Sequence, residues 1–349
     1  MKRLFHLLTL CAGLAGVITT TPAQERVPAL PALGADLTRT SVSGISSGGF
    51  MAAQIATVYS SRFIGAGIIA AGPFYCAGST GTTDYLSNAM SFCMAPMSSA
   101  VGPSGQESLR LARQFAEDGR IDPVANLQRQ RIYVFSGAND KTVKTRVVNE
   151  TVAFYRAAGV ADGQILYDRH ADAAHSIVTA NPDDLPCDAE EAPYINNCGF
   201  YQSHVLLRHL YPAATNAPAT SLRGRLLRFD QGEFLRGTRT SMDAVAWAYI
   251  PVACEQGRCA VHVTFHGCQQ GRAKIGDRFY SGTGYNEFAE TNGLIVLYPQ
   301  AHASALPPNP RGCWDFWGYS DPNTFFTRDA PQMRAVMGML DRLGQARAN

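Results

Sequence analysis

The sequence predicts an α/β fold, a mostly parallel central sheet flanked by helices, and three observations carry that expectation. The first is Gly44-Ile45-Ser46-Ser47-Gly48, which follows an alternating run at residues 37–42 and opens a helix-like stretch at residues 49–59. The second is a set of short strand-like runs, residues 63–71 and 132–135 among them, continuously apolar as in strands covered on both faces. The third is the helical pattern between such runs, at residues 107–117 and 143–158. With 46% hydrophobic and 17% charged residues among 349, the composition is that of a globular protein with a sizeable core.

Taken in order, residues 1–23 read as a secretory signal peptide. Lys2 and Arg3 precede an apolar run at residues 4–18, and small residues follow at 19–23. The run is too short for a stable membrane anchor, and bulky Leu10 before Cys11 argues against a lipoprotein. Removing these residues leaves 28 basic against 28 acidic side chains, so the mature chain is formally neutral. No basic stripe points to nucleic acid, and no basic amphipathic helix points to a membrane surface. Nine cysteines less Cys11 leave an even number in an exported chain, which points to disulfides rather than a metal. Proximity suggests Cys76 with Cys93, Cys187 with Cys198 and Cys254 with Cys259, and elimination leaves Cys268 with Cys313. Metal-ligand spacing is absent, and no cofactor is expected.

A strand that turns sharply into a helix needs glycines two residues either side of the apex, because the backbones approach there more closely than a Cβ allows. Gly44 and Gly48 meet that need around Ser46. The turn lifts the Ser46 hydroxyl to the carboxyl edge of the sheet, where the helix start aims free N–H groups at the same spot. Ser46 is therefore the candidate nucleophile.

Residues 75–99, rich in Ser, Met and Cys, read as a loop pinned by one bridge. The strand-like run 132–135 ends in Ser-Gly-Ala-Asn-Asp at 136–140, and a further one at 164–167 ends in the loop 169–175. Ser46, Asp140 and His175 each fall just after a strand-like run, where open α/β sheets gather their active residues. Their chain order, Ser, Asp, His, is that of the α/β-hydrolases. His175 would act as general base, and Asp140 would hold its tautomer. Asp168 and Asp172 compete with Asp140, and His170 competes with His175. His204 and His209 sit on a helix expected over residues 200–211, too loosely spaced for a ligand pair.

Ser46 lies only about twenty residues into the mature chain, whereas a hydrolase nucleophile normally follows the fifth strand. Four strand-like runs downstream, at residues 226–229, 244–250, 260–265 and 293–298, look like the missing first four, moved to the end by circular permutation. Cys254 and Cys259 are expected to close the middle pair into a hairpin. The loop after the third run, His266-Gly267-Cys268-Gln269-Gln270-Gly271, must then supply the oxyanion hole, a backbone N–H near Cys268 acting beside that of Ser47. In Gly312-Cys313-Trp314-Asp315-Phe316-Trp317-Gly318-Tyr319, following a Pro-rich surface loop, Trp314 or Trp317 is expected to line an apolar ester-binding cleft.

These segments together resemble the polyhydroxybutyrate depolymerase and related esterase family, most of all its circularly permuted single-domain members. The matching marks are Gly-Ile-Ser-Ser-Gly-Gly-Phe at 44–50, Gly-Ala-Asn-Asp at 137–140, Ala-His-Ser at 174–176, Phe-His-Gly-Cys-Gln at 265–269 and the aromatic segment at 312–319. The resemblance implies a secreted serine hydrolase cleaving poly(3-hydroxybutyrate) or its oligomers by an acyl-enzyme route. It implies Ser46, Asp140 and His175 as triad, Ser47 and Cys268 as oxyanion donors, and a tryptophan near Cys313 touching substrate. Residues 24–349 read as a single catalytic domain without the linker and separate polymer-binding module that many extracellular members carry, so a preference for amorphous polymer or short oligomers is expected. Feruloyl or acetylxylan esterases share much of this motif set and form the alternative, followed by a non-catalytic exported binding protein on the same scaffold.

Overall fold

A computed structural model describes residues 27–347 apart from 236 and 238, so the expected signal peptide at 1–23 and Cys11 lie outside the described residues. Among these residues eleven strands form two sheets. In chain order they are β1 (Thr40–Ile45), β2 (Phe63–Ile69), β3 (Arg131–Gly137), β4 (Ile165–His170), β5 (Ile177–Thr179), β6 (Leu185–Pro186), β7 (Ile195–Asn197), β8 (Arg225–Asp230), β9 (Val245–Ile250), β10 (Ala260–Phe265) and β11 (Leu294–Tyr298). The large sheet runs β4-β3-β2-β1-β10-β11-β9-β8, and β9 alone opposes the direction of the rest. The small sheet is β5-β7-β6.

The central strands β1, β10 and β11 are buried along their whole length, because helices cover both faces. On one face pack α1 (Ser47–Val58) and the helices Gly105–Glu117, Thr145–Ala157 and Pro331–Gly344; on the other pack Gln202–Leu210 and Tyr285–Asn292. Side-chain alternation in β1 serves both faces, Val42 entering the first core and Ile45 the second.

The first strand begins later than the alternation suggests. Residues Leu37–Arg39 form a 3₁₀ turn because the Asp36 carboxylate accepts from Thr38 N, the local capping that acidic residues offer a chain start. The segment at 75–99 is pinned by Cys76–Cys93 but holds short helical turns rather than plain loop.

The hairpin expected between β9 and β10 does not form, since β11 lies between them and β9 pairs with β8. A parallel pair such as β10–β11 needs a helical crossover, which residues 272–292 supply, and the returning strand enters beside β10. The Cys254–Cys259 bridge instead ties the connection against the start of β11, where Cys259 Sγ lies 3.7 Å from the position a Cβ would take on Gly293.

Candidate active site

Ser46 follows the last residue of β1 with φ 56° and ψ −124°, a left-handed conformation unusual for a residue with a Cβ. The two flanking glycines explain how the chain tolerates it. A Cβ on Gly44 would sit 2.2 Å from Gly48 O, and one on Gly48 would sit 2.4 Å from both His266 O and Phe265 O. The turn is thus wedged between its own helix and β10, and only glycine fits. Ser46 N donates to Ile69 O at 2.9 Å, which fastens the apex to β2.

The loops after β3 and β4 meet at Gly137, where a Cβ would lie 2.2 Å from Ala173 O. Asn139 N donates to Ala173 O at 3.0 Å and Asn139 Nδ2 to Asp172 O at 3.0 Å, so the two loops are laced together. Across this seam Asp140 Oδ2 accepts from His175 Nδ1 at 2.8 Å. An ionised carboxylate only accepts, so Nδ1 carries the proton and Nε2 is left with a lone pair. Asp140 Oδ1 accepts from Thr142 N at 2.9 Å and Val143 N at 2.7 Å. Glu190 braces the same loop, accepting from Lys141 N at 2.9 Å and Thr142 Oγ1 at 2.5 Å. Ala174 N donates to Cys187 O at 3.0 Å, and the Cys187–Cys198 bridge holds that carbonyl beside the histidine loop.

The third component is the turn after β10. His266 is fully buried, which holds its imidazole down at about 4, so it is neutral. Its Nε2 accepts from Ala301 N at 3.0 Å, and its Nδ1–H therefore donates to Gly267 O at 2.7 Å. Gln270, 1% exposed, accepts from Gly267 N through Oε1 at 2.7 Å and donates through Nε2 to Pro193 O at 2.9 Å and Tyr194 O at 3.0 Å. Gly267 C=O and Cys268 N–H are opposite ends of one planar peptide unit, so anchoring the carbonyl aims the amide the other way. Cys268 is bonded to Cys313, as sequence proximity and elimination suggested for all four bridges.

Ser46, His175, Cys268, Thr142, Tyr194 and Met94 line one cleft. A serine at an elbow, an imidazole with a free Nε2 and amides at a helix start can together deprotonate a hydroxyl and stabilise an oxyanion. Ser47, the first residue of α1, accepts through Oγ from Trp314 N at 3.2 Å.

The two tryptophans part company. Trp314 is 0% exposed, packed edge-on against Phe265, and offers no surface to a ligand, because the chain turns its indole inward beneath the cleft. The expectation that it touches substrate is corrected. Trp317 is half-buried and lines an adjoining apolar hollow with Phe316, Met90, Met94 and Leu86. Asp315 fixes that segment, its carboxylate accepting from the backbone N–H groups of Trp317, Gly318, Tyr319 and Ser320.

Of the competing residues, Asp172 joins the seam through its backbone carbonyl, and Asp168 and His170 are engaged elsewhere. Asp168 accepts from Tyr133 OH at 3.1 Å, and His170 stacks on Phe200. His170 also lies near the sulfurs of Cys187 and Cys198, but these are bonded to each other and present no thiolate. His204 and His209 bond separate carbonyls, Gly284 O and Gln164 O. Sequence reasoning missed Gln270, Glu190 and Tyr194; only Gln270 carried a signal, its place in the His-Gly-Cys-Gln-Gln turn.

Fold and site together define an α/β-hydrolase-like protein, a mostly parallel sheet with flanking helices and a serine elbow at its carboxyl edge. No family model matches the chain. It is 38% identical over 338 residues to a poly(3-hydroxybutyrate) depolymerase of Delftia acidovorans, covering 95% of this chain and 65% of that protein, just under two thirds of its length. It is 32% identical over 348 residues to a polyhydroxybutyrate depolymerase of Talaromyces funiculosus, covering 95% and 96% of the two. Among solved structures it is similar to a PHB depolymerase serine-to-alanine variant complexed with an R3HB trimer, with TM-score 0.81, 32% identity and coverage of 90% of this chain and 98% of that one. The PHB depolymerase crystal structure from Penicillium funiculosum gives TM-score 0.80 at the same identity and coverage. The chain belongs to the polyhydroxybutyrate depolymerase family.

Proposed function

We propose that this protein is an exported serine esterase that hydrolyses ester bonds of poly(3-hydroxybutyrate) or its oligomers through an acyl-enzyme. Ser46 Oγ attacks the ester carbonyl while His175 Nε2 takes its proton, and Asp140 steadies the resulting imidazolium through Nδ1–H. The backbone N–H groups of Ser47 and Cys268 receive the oxyanion. His175 then returns the proton to the departing alkoxide, and water, activated by the same imidazole, frees the acid from Ser46.

The observation that carries this reading is the Asp140–His175 pair opening onto the same cleft as the strained Ser46 elbow and the anchored Cys268 turn. The adjoining wall favours a polyester over a carbohydrate ester, being built from Leu86, Met90, Met94, Phe316 and Trp317, with Trp317 as the substrate contact. Four disulfides support export. The strand order supports a circular permutation of the hydrolase sheet within a single catalytic domain. β8, β9, β10 and β11 stand in for the first four strands, and β1 to β4 for the last four.

The test is product analysis after incubating wild type and Ser46→Ala with amorphous poly(3-hydroxybutyrate), alongside feruloyl and acetylated sugar esters. Hydroxybutyrate products from wild type and none from Ser46→Ala are expected; unchanged turnover in the variant would remove Ser46 as nucleophile.

A further inference from the structure

We infer that the mouth of the cleft carries a subsite for a carboxylate, the free acid end of an oligoester, with Arg311 as its cation. This rests on the esterase reading and refines its substrate. Arg311 borders three adjoining hollows: the cleft with Ser46 and His175, the apolar hollow with Phe316 and Trp317, and a third with Lys274 and His302. No aspartate or glutamate lines any of the three, so the lysine and arginine side chains that border them, Arg311 and Lys274, meet no carboxylate in the lining. The Arg311 guanidinium is exposed and, among the described residues, bonds no carboxylate or carbonyl.

Its base is fixed where its head is free. Gln269 N donates to Arg311 O at 2.8 Å, and Cys268–Cys313 closes the neighbouring residues onto the same turn. The guanidinium therefore swings from an anchor that moves with the proposed oxyanion turn, and its planar fork matches a carboxylate.

Internal units of the polyester are uncharged, so an unpaired cation at the mouth gains nothing from them beyond ordinary hydrogen bonds. The acid end is different. Each ester joins the carbonyl of one unit to the hydroxyl oxygen of the next unit towards the acid end. The carboxylate thus always belongs to the departing alcohol, and a cation at the mouth selects bonds near that end. Short acid-ended pieces are the product the geometry favours.

The experiment compares a 3-hydroxybutyrate trimer bearing its free acid with the same trimer capped as a neutral amide, for wild type, Arg311→Gln and Lys274→Gln. At low salt, wild type should show kcat/KM about fivefold higher for the acid, the size an exposed ion pair supports, and the preference should shrink as salt screens it. Arg311→Gln should bring the ratio to about one, and Lys274→Gln should lower it less. Equal rates on the two trimers in wild type, or a preference that survives in Arg311→Gln, would overturn the subsite while leaving the esterase reading intact. Cleavage of neither trimer by wild type would remove that reading and the subsite with it.

Discussion

Gln270→Met separates the aim of the proposed oxyanion donor from the rest of the machinery. Methionine keeps the length and approximate volume of glutamine while deleting all three side-chain hydrogen bonds, to Gly267 N, Pro193 O and Tyr194 O. Each such bond contributes about 0.5–1.5 kcal/mol net, so stability should fall by about 2–4 kcal/mol. The kinetic effect follows from what remains. Losing an oxyanion donor outright lowers kcat by about 10²–10³-fold. In the variant His266 still holds Gly267 O, so Cys268 N–H is loosened rather than lost, and kcat should drop by about 10–100-fold. KM should hardly move, because the oxyanion exists only on the way over the barrier. Steady-state kinetics on a soluble short-chain ester, paired with urea unfolding, measure both quantities. A variant that loses stability but keeps kcat within about twofold would show that Gln270 merely packs the turn, and would refute the reasoning.

Two further outcomes follow from the same geometry. Asp140→Asn removes the carboxylate that fixes Nδ1–H on His175, and kcat should fall by about 10³–10⁴-fold; a loss of less than about tenfold would show that Asp140 does not set the tautomer. Burial lowers His262 to about 3 and His266 to about 4 from an ordinary 6.5. Below pH 6.5 the unfolded chain binds protons that the folded chain refuses, so these groups contribute stability that is present above pH 6.5 and lost as the pH falls towards 4 and then 3. The urea midpoint should therefore decline between pH 6.5 and 5, above the ordinary carboxylate range. A midpoint flat across that window would contradict the buried, neutral state of both histidines.

What could be read from the sequence is what short-range sterics dictate. Gly44 and Gly48 had to be glycine for reasons internal to one turn, so the elbow was legible, and so was the meeting of Asp140 with His175, carried by loops at strand ends. The bridges were legible because most close short loops, Cys254 and Cys259 being five residues apart. The insertion of β11 between β10 and β9 was not, since nothing local to β9 distinguishes one neighbour from another. Trp314 was misjudged for a related reason: Pro307, Pro308 and Pro310 mark a surface loop, but the inward turn of the indole depends on Phe265 from a different strand. Glu190 and Tyr194 gave no signal at all, because their roles arise only when the segment around the small sheet folds against the Asp140 loop and Gln270.

The meeting of the two distant segments at the cleft has a simpler cause than chain order. β1 and β10 are parallel neighbours with Gly44 level with Phe265, so whatever follows each strand must emerge on the same edge at the same height. Ser46 follows one and His266 to Gly271 the other. The close contact of Gly48 with Phe265 O and His266 O then locks the elbow helix against the root of the second turn. Strand adjacency thus brings Ser46 and the Cys268 turn to one cleft, while Asp140 and His175 reach it from the loops after β3 and β4. The covalent tie from Cys268 to Cys313 extends the same logic outward, carrying Arg311 and Trp317 with the turn, so that the groups proposed to bind substrate and those proposed to stabilise the oxyanion share one rigid base.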